Sequence, residues 1–585
     1  MASTSGLPPA DVRLKRFLHY GSEAPLCVPG DRLFLNCFLL EKLTAVEEML
    51  ANCAADKQGD AVNHILKAFM DGYSGYPDCL IFALAVCATQ RSSQQLCHQA
   101  YIAVKKICKT PKDLFLFCTF SKKLCTSTGY TGFGWRRALC SWYLSKEPLE
   151  LATCVTQYRG AHGFTHRDLF KLCHIKTDDK AKSTIICYVM KGLEAAKILP
   201  HKDDPDVQKV LSYLQLIEDV KHQTDAQACA RLFEAHQLPK EMVPSTLYKS
   251  AEVMIALVPT MPLRDLLDSI IRLSCAGLLK TGEPLEALII DRLVDQTAIV
   301  ESQLHPTEVY CSIKQYENHA INTHILMEKL RKQGKTEKPL KPAPKPNAKI
   351  ISALNKLLVS TFKLLVPTGM RYLLALDLSS NMQTWKCNGE RDVKPAEAAV
   401  LLALCLLNAE REVTVASFPP VLGAPPEEEL IDPVNPVLMT VSRRGKKKLG
   451  ETIYPRKTEL QPMVPLQLDK ELSVPANLEK AKEPLLGPVE VCQPIVWAQQ
   501  IKKPVDVFIV ITDYVTLRKR EFLEPSAALQ EYRQVMNLPN TKFITCALVA
   551  NTLDVAAHND LGMLDIVGFN GKVARIIEAF SRGAF

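Results

Sequence analysis

The most constraining feature of this 585-residue sequence is a helical periodicity that runs almost unbroken from Arg13 to Lys332. One helix is predicted to start at Pro205 with Asp204 as its N-cap, because proline suits the first turn and aspartate accepts hydrogen bonds from free backbone amides. Its apolar residues form one stripe, namely Val207, Val210, Leu211, Leu214 and Ile217. About 320 residues of such helices, without an exact repeat, predict an irregular α-solenoid of the HEAT or armadillo kind. Two unrelated helical domains are the alternative that periodicity leaves open.

The pattern changes after residues 332–349, a stretch rich in lysine and proline that predicts a solvated linker. Beyond it, short runs of valine, isoleucine and leucine alternate with helical segments, which is typical of a parallel sheet covered on both faces. We predict strands at 372–378, 413–418, 505–512 and 542–549, and helices at 395–410 and 525–536. A proline-rich stretch at about 419–484 interrupts this order and is interpreted as an insertion.

These changes predict three segments: a helical domain at 11–331, the linker with a connecting helix at 332–366, and an α/β domain at 367–585. The longest clean apolar run, Ala398–Leu407, is shorter than the roughly 18 residues of a membrane span. Together with the absence of a signal-peptide pattern, it predicts a protein that is not embedded in a membrane.

Composition and missing motifs narrow the functional classes. Hydrophobic residues make up 47% of the chain and the net charge is +8, which describes a globular protein with a mild preference for anionic partners. No GxxxxGK[ST], GxSxG or strand-bound GxGxxG motif occurs, so we predict that the protein is not an enzyme. Twenty cysteines without a CxxC pair predict a reducing compartment, and therefore the cytoplasm.

Polar side chains follow the first predicted strand of the α/β domain, at Asp377, Ser379 and Asn381. Oxygen ligands at the end of a parallel strand suit a hard cation such as Mg²⁺. The pattern resembles the DxSxS adhesion motif of von Willebrand factor A domains, and Asp513 matches the second acidic position of that motif. Its last serine is Asn381 here, and Val489 stands where that family has a coordinating threonine. The alternative is a degenerate site whose aspartates cap strand ends.

A basic segment lies in the helical domain between Arg159 and Lys176. If it is helical from residue 165, Arg167, Lys171 and His174 share one face and the apolar residues occupy the other. Lysine and arginine bind phosphates by charge, and histidine hydrogen-bonds to a base or stacks on it, so the segment predicts contact with RNA. A solvated helix face is the alternative.

Two further basic clusters are candidates for binding nucleic acid. Arg136 and Arg137 lie among the aromatic residues of 130–143, a mixture of charge and stacking groups that is typical of single-strand binding, although the aromatics equally suit a core. The cluster at Arg443–Lys448 suits a nuclear import signal or a phosphate contact, with a solvated loop as the alternative. An import signal there would add the nucleus to the predicted locations.

The order of these features resembles that of the Ro ribonucleoprotein autoantigen family, whose members carry a TROVE domain. The likeness rests on seven stretches, which are RLKRFLHYGSE at 13–23, LIFALAVCA at 80–88, THRDLFKLCHIK at 165–176, PTGMRYLLALDL at 367–378, VWAQ at 496–499, VFIVITD at 507–513 and GMLDIVGF at 562–569. The resemblance implies a ring of HEAT-like helices closed by a von Willebrand factor A-like domain. It also implies that small noncoding Y RNAs bind the outer face and that 3′ ends of misfolded RNAs enter the central hole.

The resemblance also bears on individual residues. His174 aligns with a family RNA-binding histidine, which raises the expectation that the basic segment binds RNA. Two basic positions of the family fall on Gln157 and Ala161, so Arg159 is the nearby cation that this chain retains. Fewer phosphate contacts weaken binding and flatten its dependence on salt, so a diverged member of the family is expected.

The sequence therefore predicts a monomeric, non-enzymatic RNA-binding protein of a ribonucleoprotein, with small structured noncoding RNA and other proteins as partners. The predicted RNA-binding residues are Arg136, Arg137, Arg159, Arg167, Lys171, His174 and Lys176. The rival hypothesis is a protein-interaction scaffold that has lost RNA and metal binding. A third hypothesis is metal-dependent adhesion through Asp377 and Ser379.

Overall fold

The computed structural model describes residues 7–29, 38–54, 57–72, 76–125, 132–332, 344–419, 462–481, 489–513 and 524–585. Their contacts group into two compact units. The first reaches to Val366 and also contains Asn570–Phe585, and the second is Pro367–Phe569. The C-terminal helix, which the sequence assigns to the α/β domain, thus belongs to the helical unit.

Three sequence predictions fall largely beyond what the structure describes. Most of the linker at 332–349 and of the insertion at 419–484 lies outside the described residues. The whole cluster Arg443–Lys448 lies outside them too. None of the helices in the described ranges combines the length and the hydrophobicity of a membrane-spanning segment.

The first unit is built from twenty α-helices in the part of the chain that the structure describes. They are α1 Ala10–Tyr20, α2 Ala45–Asn52, α3 Asp60–Asp71, α4 Pro77–Ala88, α5 Gln94–Ile107, α6 Pro111–Leu124, α7 Phe133–Leu144, α8 Pro148–Gln157, α9 His166–Cys173, α10 Lys180–Lys191, α11 Leu193–Lys197, α12 Pro205–Lys221, α13 Ala226–His236, α14 Ala251–Leu257, α15 Leu263–Cys275, α16 Pro284–Val294, α17 Gln296–Ser302, α18 Pro306–Lys332, α19 Ala348–Phe362 and α25 Val573–Ser581. Three two-residue strands accompany them, β1 at Leu26–Cys27, β2 at Gly160–Ala161 and β3 at Phe164–Thr165.

Local sequence explains where these helices begin. Thr110 caps α6 by accepting a hydrogen bond from the backbone of Asp113, and Asp204 caps α12 in the predicted way. The predicted stripe of α12 is confirmed, because four of its five residues are buried and Leu211 is half-buried. Helix α4 is buried on all sides, and it packs against α3, α5 and α6. Helices that pack on their neighbours in the chain confirm the predicted stack.

The second unit contains a twisted, mostly parallel sheet. Its strands are β4 Tyr372–Leu376, β5 Val413–Ser417, β6 Val464–Pro465, β7 Val507–Thr512, β8 Lys542–Ala547 and β9 Met563–Val567, in the order β9-β8-β7-β4-β5-β6. Only β6 pairs antiparallel among these strands. The helices are α20 Ser380–Thr384, α21 Pro395–Ala409, α22 Val474–Lys480, α23 Gln493–Gln500 and α24 Pro525–Val535. The four predicted strands are confirmed, whereas β9 was missed because its short apolar run contains Asp565.

Candidate functional site

The basic segment begins with a hairpin and continues into α9. Strands β2 and β3 are joined by His162 and Gly163, which both have positive φ, as a tight two-residue hairpin turn requires. Thr165 then caps α9, and Asp168 accepts hydrogen bonds from the Thr165 backbone nitrogen and hydroxyl at 3.0 and 2.6 Å. Because Asp168 takes part in this capping box, its carboxylate points towards the start of α9.

The predicted cations of this segment all lie on the surface. They are Arg159, Arg167, Lys171, His174 and Lys176, which we call the α9 basic patch, and each side chain is exposed. None of the five forms an ion pair within the described residues, whereas nearby Lys146 and Lys180 pair with Glu150 and Asp204 at 2.7 and 3.2 Å. The charge of the patch is therefore not cancelled by neighbouring carboxylates.

Helix α9 presents Arg167 and Lys171 as predicted, but its end differs from the prediction. The helix stops at Cys173, and His174 adopts a left-handed conformation with φ 53°. The N–H of Ile175 then reaches back to the carbonyl of Phe170 at 3.3 Å, which closes the helix. His174 is therefore the C-cap of α9 rather than a residue within the helix, and the chain changes direction after it.

Gln157 and Ala161 stand at the two positions where the family has cations, and both residues make contacts within the helical unit. The Gln157 amide donates to Glu241 Oε2 at 3.1 Å, and the Tyr158 hydroxyl donates to Glu241 Oε1 at 3.2 Å. Ala161 is half-buried in the hairpin, opposite Phe164. Neither position offers a cation to a ligand.

Two lysines of α6, which the sequence did not identify as candidates, lie beside the hairpin. Lys112 Nζ lies 4.3 Å from the ring centroid of Tyr158, and Lys122 Nζ lies 5.9 Å from that of Phe164. Both lysines are exposed and are separated from the segment by about forty residues of sequence. Only the packing of α6 beside the hairpin places this additional positive charge near Arg159.

Helix α7 carries the other predicted arginines. Arg137 is exposed and Arg136 is half-buried, while Trp135, Trp142 and Tyr143 of the same stretch are buried in the core. Phe133 is the exception among the described aromatics of α7, because its side chain is 81% exposed. An exposed ring four residues before Arg137 is a surface on which a base can stack, and the sequence did not distinguish it from the core aromatics.

A buried hydrogen bond joins α7 to α9. The hydroxyl of Tyr143 lies 2.9 Å from Nδ1 of His166, the first residue of α9, and the imidazole packs edge-to-face on Phe115. Burial lowers the pKa of His166 to about 4, so the ring is neutral at physiological pH. This neutral pair fixes the helix that carries Arg167 and Lys171.

The predicted metal residues lie at adjacent strand ends in the second unit. Because β4 and β7 are parallel neighbours, Asp377 and Asp513 leave the sheet side by side, and both are buried. Asp377 accepts hydrogen bonds from the Ser379 backbone nitrogen and from the Thr512 hydroxyl, each at 2.9 Å. The Asn381 amide donates to Asp513 Oδ2 at 3.0 Å. Burial, and then the charge of Asp513, raise the pKa of Asp377.

These side chains do not complete a shell for a divalent cation. Ser379 Oγ is buried without a hydrogen-bond partner, which would suit a ligand. However, Asn381 directs an N–H rather than an oxygen at Asp513, and the buried Val489 carries no donor atom. Within the described residues, no three His, Cys, Asp or Glu side chains converge as a metal site. Mg²⁺ requires a near-octahedral shell of oxygens, so this donor set does not fit the predicted ion.

We expect millimolar Mg²⁺ to leave the melting temperature of the protein unchanged. In Asn381→Ser with Val489→Thr, the two missing oxygens return, and Mg²⁺ at ten times its dissociation constant should then stabilise the fold by about 1.4 kcal/mol. Thermal melts with and without Mg²⁺ measure both effects, with Ca²⁺ as a second ion. Heat of Mg²⁺ binding to the wild-type protein that Asp513→Asn abolishes would contradict this expectation.

Comparison with known proteins agrees with the order of the two units. A TROVE-domain family model matches residues 35–390, more than half of the chain, and a Ro60 vWA-domain model matches residues 437–581. The chain belongs to the TROVE-domain family. Its similarity to a family with an α/β domain of the von Willebrand factor A type agrees with the sheet order described above.

Two curated relatives of this TROVE-domain chain are both named RNA-binding protein RO60. The relative from Deinococcus radiodurans is 26% identical over 508 residues, covering 87% of this chain and 81% of its own length. The relative from Caenorhabditis elegans is 24% identical over 568 residues, covering 86% of this chain and 78% of its own length. The crystal structure of the Deinococcus radiodurans RO (RSR) protein superposes with a TM-score of 0.76 at 23% identity, covering 98% of this chain and 100% of the other. At that identity, the structural match establishes the fold.

Proposed function

We propose that this TROVE-domain protein is a non-enzymatic, monomeric RNA-binding protein that holds small structured noncoding RNAs of the Y type through the α9 basic patch. The observation that carries the proposal is the cluster of four exposed cations and His174, which form no ion pairs within the described residues. Uncompensated charge of this kind attracts phosphates, since binding releases the counterions that surround RNA. The relatives' name, RNA-binding protein RO60, supports the same class of ligand.

The 3′ ends of misfolded RNAs are a second part of this proposal. Exposed Phe133, with Arg137 one turn further along α7, offers a stacking ring beside a cation. Single strands are held in this way without strict sequence preference, because every base has a flat face to stack. We therefore assign a single-stranded tail to α7 and structured RNA to the α9 basic patch, in a role in RNA quality control.

We also propose a cytoplasmic location, with the nucleus as a second one. Nineteen described cysteines are free thiols, which suits a reducing compartment. The cluster Arg443–Lys448, outside the described residues, is the candidate import signal. Other proteins of a ribonucleoprotein are further proposed partners.

A titration with a stem-loop RNA that carries a single-stranded 3′ tail, and with the same stem blunt-ended, tests the function. We expect tighter binding of the tailed RNA and a linear fall of log K with log salt, with a slope of about −0.9 for each duplex phosphate contacted. Weak binding with equal affinity for the tailed and blunt-ended RNAs and almost no dependence on salt would contradict the proposal. That result would favour a protein-interaction scaffold, which partner capture after RNase treatment would then examine.

A further inference from the structure

A cavity of ≈ 450 Å³ opens in the helical unit beside α14 and the C-terminal half of α15. Its floor is apolar, because Met254, Leu257 and Leu273 are buried side chains that line it. A volume of this size is typical of sites that enclose a small organic ligand, and an apolar floor favours a flat or hydrophobic group. The cavity shares no lining residue with the α9 basic patch.

Two cations at this cavity have no carboxylate partner within the described residues. Lys249 and Arg272 are both exposed, and neither forms an ion pair there. A third cation of the lining, Lys240, is already neutralised, since it pairs with Asp265 at 2.5 Å. The cavity therefore combines an apolar floor with a net positive rim, which favours a ligand with an apolar body and an anionic group.

One wall of the cavity is flat and aromatic. The Tyr248 hydroxyl donates to the carbonyl of Lys240 at 2.8 Å, which orients the ring, and the Arg272 guanidinium lies 5.9 Å from the ring centroid. Nucleobases stack on aromatic rings and on guanidinium planes. Arginine and lysine bind phosphate oxygens with strong, charge-assisted hydrogen bonds.

We propose that this cavity binds one nucleotide, with the base between Tyr248 and the apolar floor and the phosphate on Lys249 and Arg272. The flat Tyr248 and Arg272 surfaces favour a nucleotide over an aliphatic carboxylate, which would gain little from stacking. Glu241, the residue after the lining Lys240, accepts a hydrogen bond from Gln157, which lies two residues before Arg159 in the chain. The idea that this nucleotide is part of a bound RNA rests on the function proposed above. Binding of a free nucleotide does not depend on that function.

The thiol of Cys275 reports on the cavity, because it lines the cavity and is the exposed cysteine among the described ones. The experiment measures its rate of alkylation by iodoacetamide in the full chain, by mass spectrometry of its peptide. Probes are uridine and adenosine monophosphates, a tetrauridylate, inorganic phosphate and octanoate. We expect nucleotides to slow alkylation at least fivefold in a saturable way. Protection should be lost in Lys249→Ala with Arg272→Ala and kept in the matched surface variant Lys209→Ala.

Three outcomes would overturn the nucleotide site: no protection, equal protection by inorganic phosphate, or protection by octanoate alone. Protection that persists in Lys249→Ala with Arg272→Ala would also overturn it, since the phosphate would then bind elsewhere. The proposed RNA function fails separately. If nucleotides protect Cys275 while the tailed stem-loop does not bind, the nucleotide site is supported and the proposed RNA function is contradicted. If the tailed stem-loop binds tightly while nucleotides do not protect Cys275, the RNA function is supported and the nucleotide site is contradicted.

Discussion

Replacing Lys171 and His174 by alanine should weaken binding of a tailed stem-loop RNA about thirtyfold at physiological salt. Both side chains are exposed and make no ion pair within the described residues, so removing them leaves no buried group unsatisfied. A phosphate contact from Lys171 and a hydrogen bond or stacking contact from His174, of roughly 1 kcal/mol each, account for that factor. The loss of one phosphate contact should also flatten the salt slope by about 0.9. Fluorescence titrations at four salt concentrations measure both quantities, and the melting temperature should stay the same.

Two matched variants make this result specific. Lys280→Ala removes the charge of another exposed lysine of the helical unit, so its RNA affinity should equal that of the wild type. His174→Gly removes the imidazole but suits φ 53°, so relief of backbone strain should offset the entropy of glycine and keep the free energy of unfolding within about 1 kcal/mol. Its RNA affinity should still fall. Wild-type affinity in the double variant would sink the assignment of RNA to the α9 basic patch.

Acid should destabilise the helical unit through His166. Its pKa is about 4 in the folded protein, against about 6.5 in an unfolded chain, because burial disfavours the imidazolium. Between these values the unfolded state binds the extra proton, so stability is complete above pH 6.5 and is lost as the pH falls towards 4. A difference of that size corresponds to about 3 kcal/mol of unfolding free energy. Urea unfolding between pH 7 and pH 4 measures the loss.

Other groups also titrate between pH 7 and pH 4, so the contribution of His166 is obtained by comparing the wild type with a variant that lacks this histidine. Tyr143→Phe with His166→Phe removes both partners of the buried hydrogen bond and keeps the aromatic packing on Phe115. This variant should lose about 3 kcal/mol less than the wild type over that pH range. Tyr143→Phe alone retains the titrating ring and should keep most of the acid sensitivity. Identical pH dependence in the double variant and the wild type would show that folding does not lower the pKa of His166.

Much of the basic segment could be predicted because its determinants are local. Thr165 and Asp168 form a capping box three residues apart, and the alternation of apolar and basic residues fixes which face of α9 is buried. The end of the helix could not be predicted in the same way. A left-handed cap is usually glycine, so His174 carries no sequence signal for it and was assigned to the helical face.

The predicted metal residues also combine a feature that local sequence predicts with one that it does not. Their position at the ends of β4 and β7 follows from two runs of apolar residues that each end in an aspartate. Their chemistry depends on which atom of Asn381 faces Asp513, and only the tertiary structure brings these two side chains together. The sequence already shows that Asn381 and Val489 depart from the motif, and the structure adds that the Asn381 amide donates to Asp513.

The sequence by itself determined the helical stack, the parallel sheet and the exposed cations of α9, because each depends on a periodicity or a cap within a few residues. Only the tertiary structure decided that Lys112 and Lys122 stand beside the hairpin, that Phe133 faces solvent while Trp135 is buried, and that α25 joins the helical unit. These features arise from contacts between residues far apart in the chain. Such contacts follow from how whole helices pack, which no local pattern of side chains encodes.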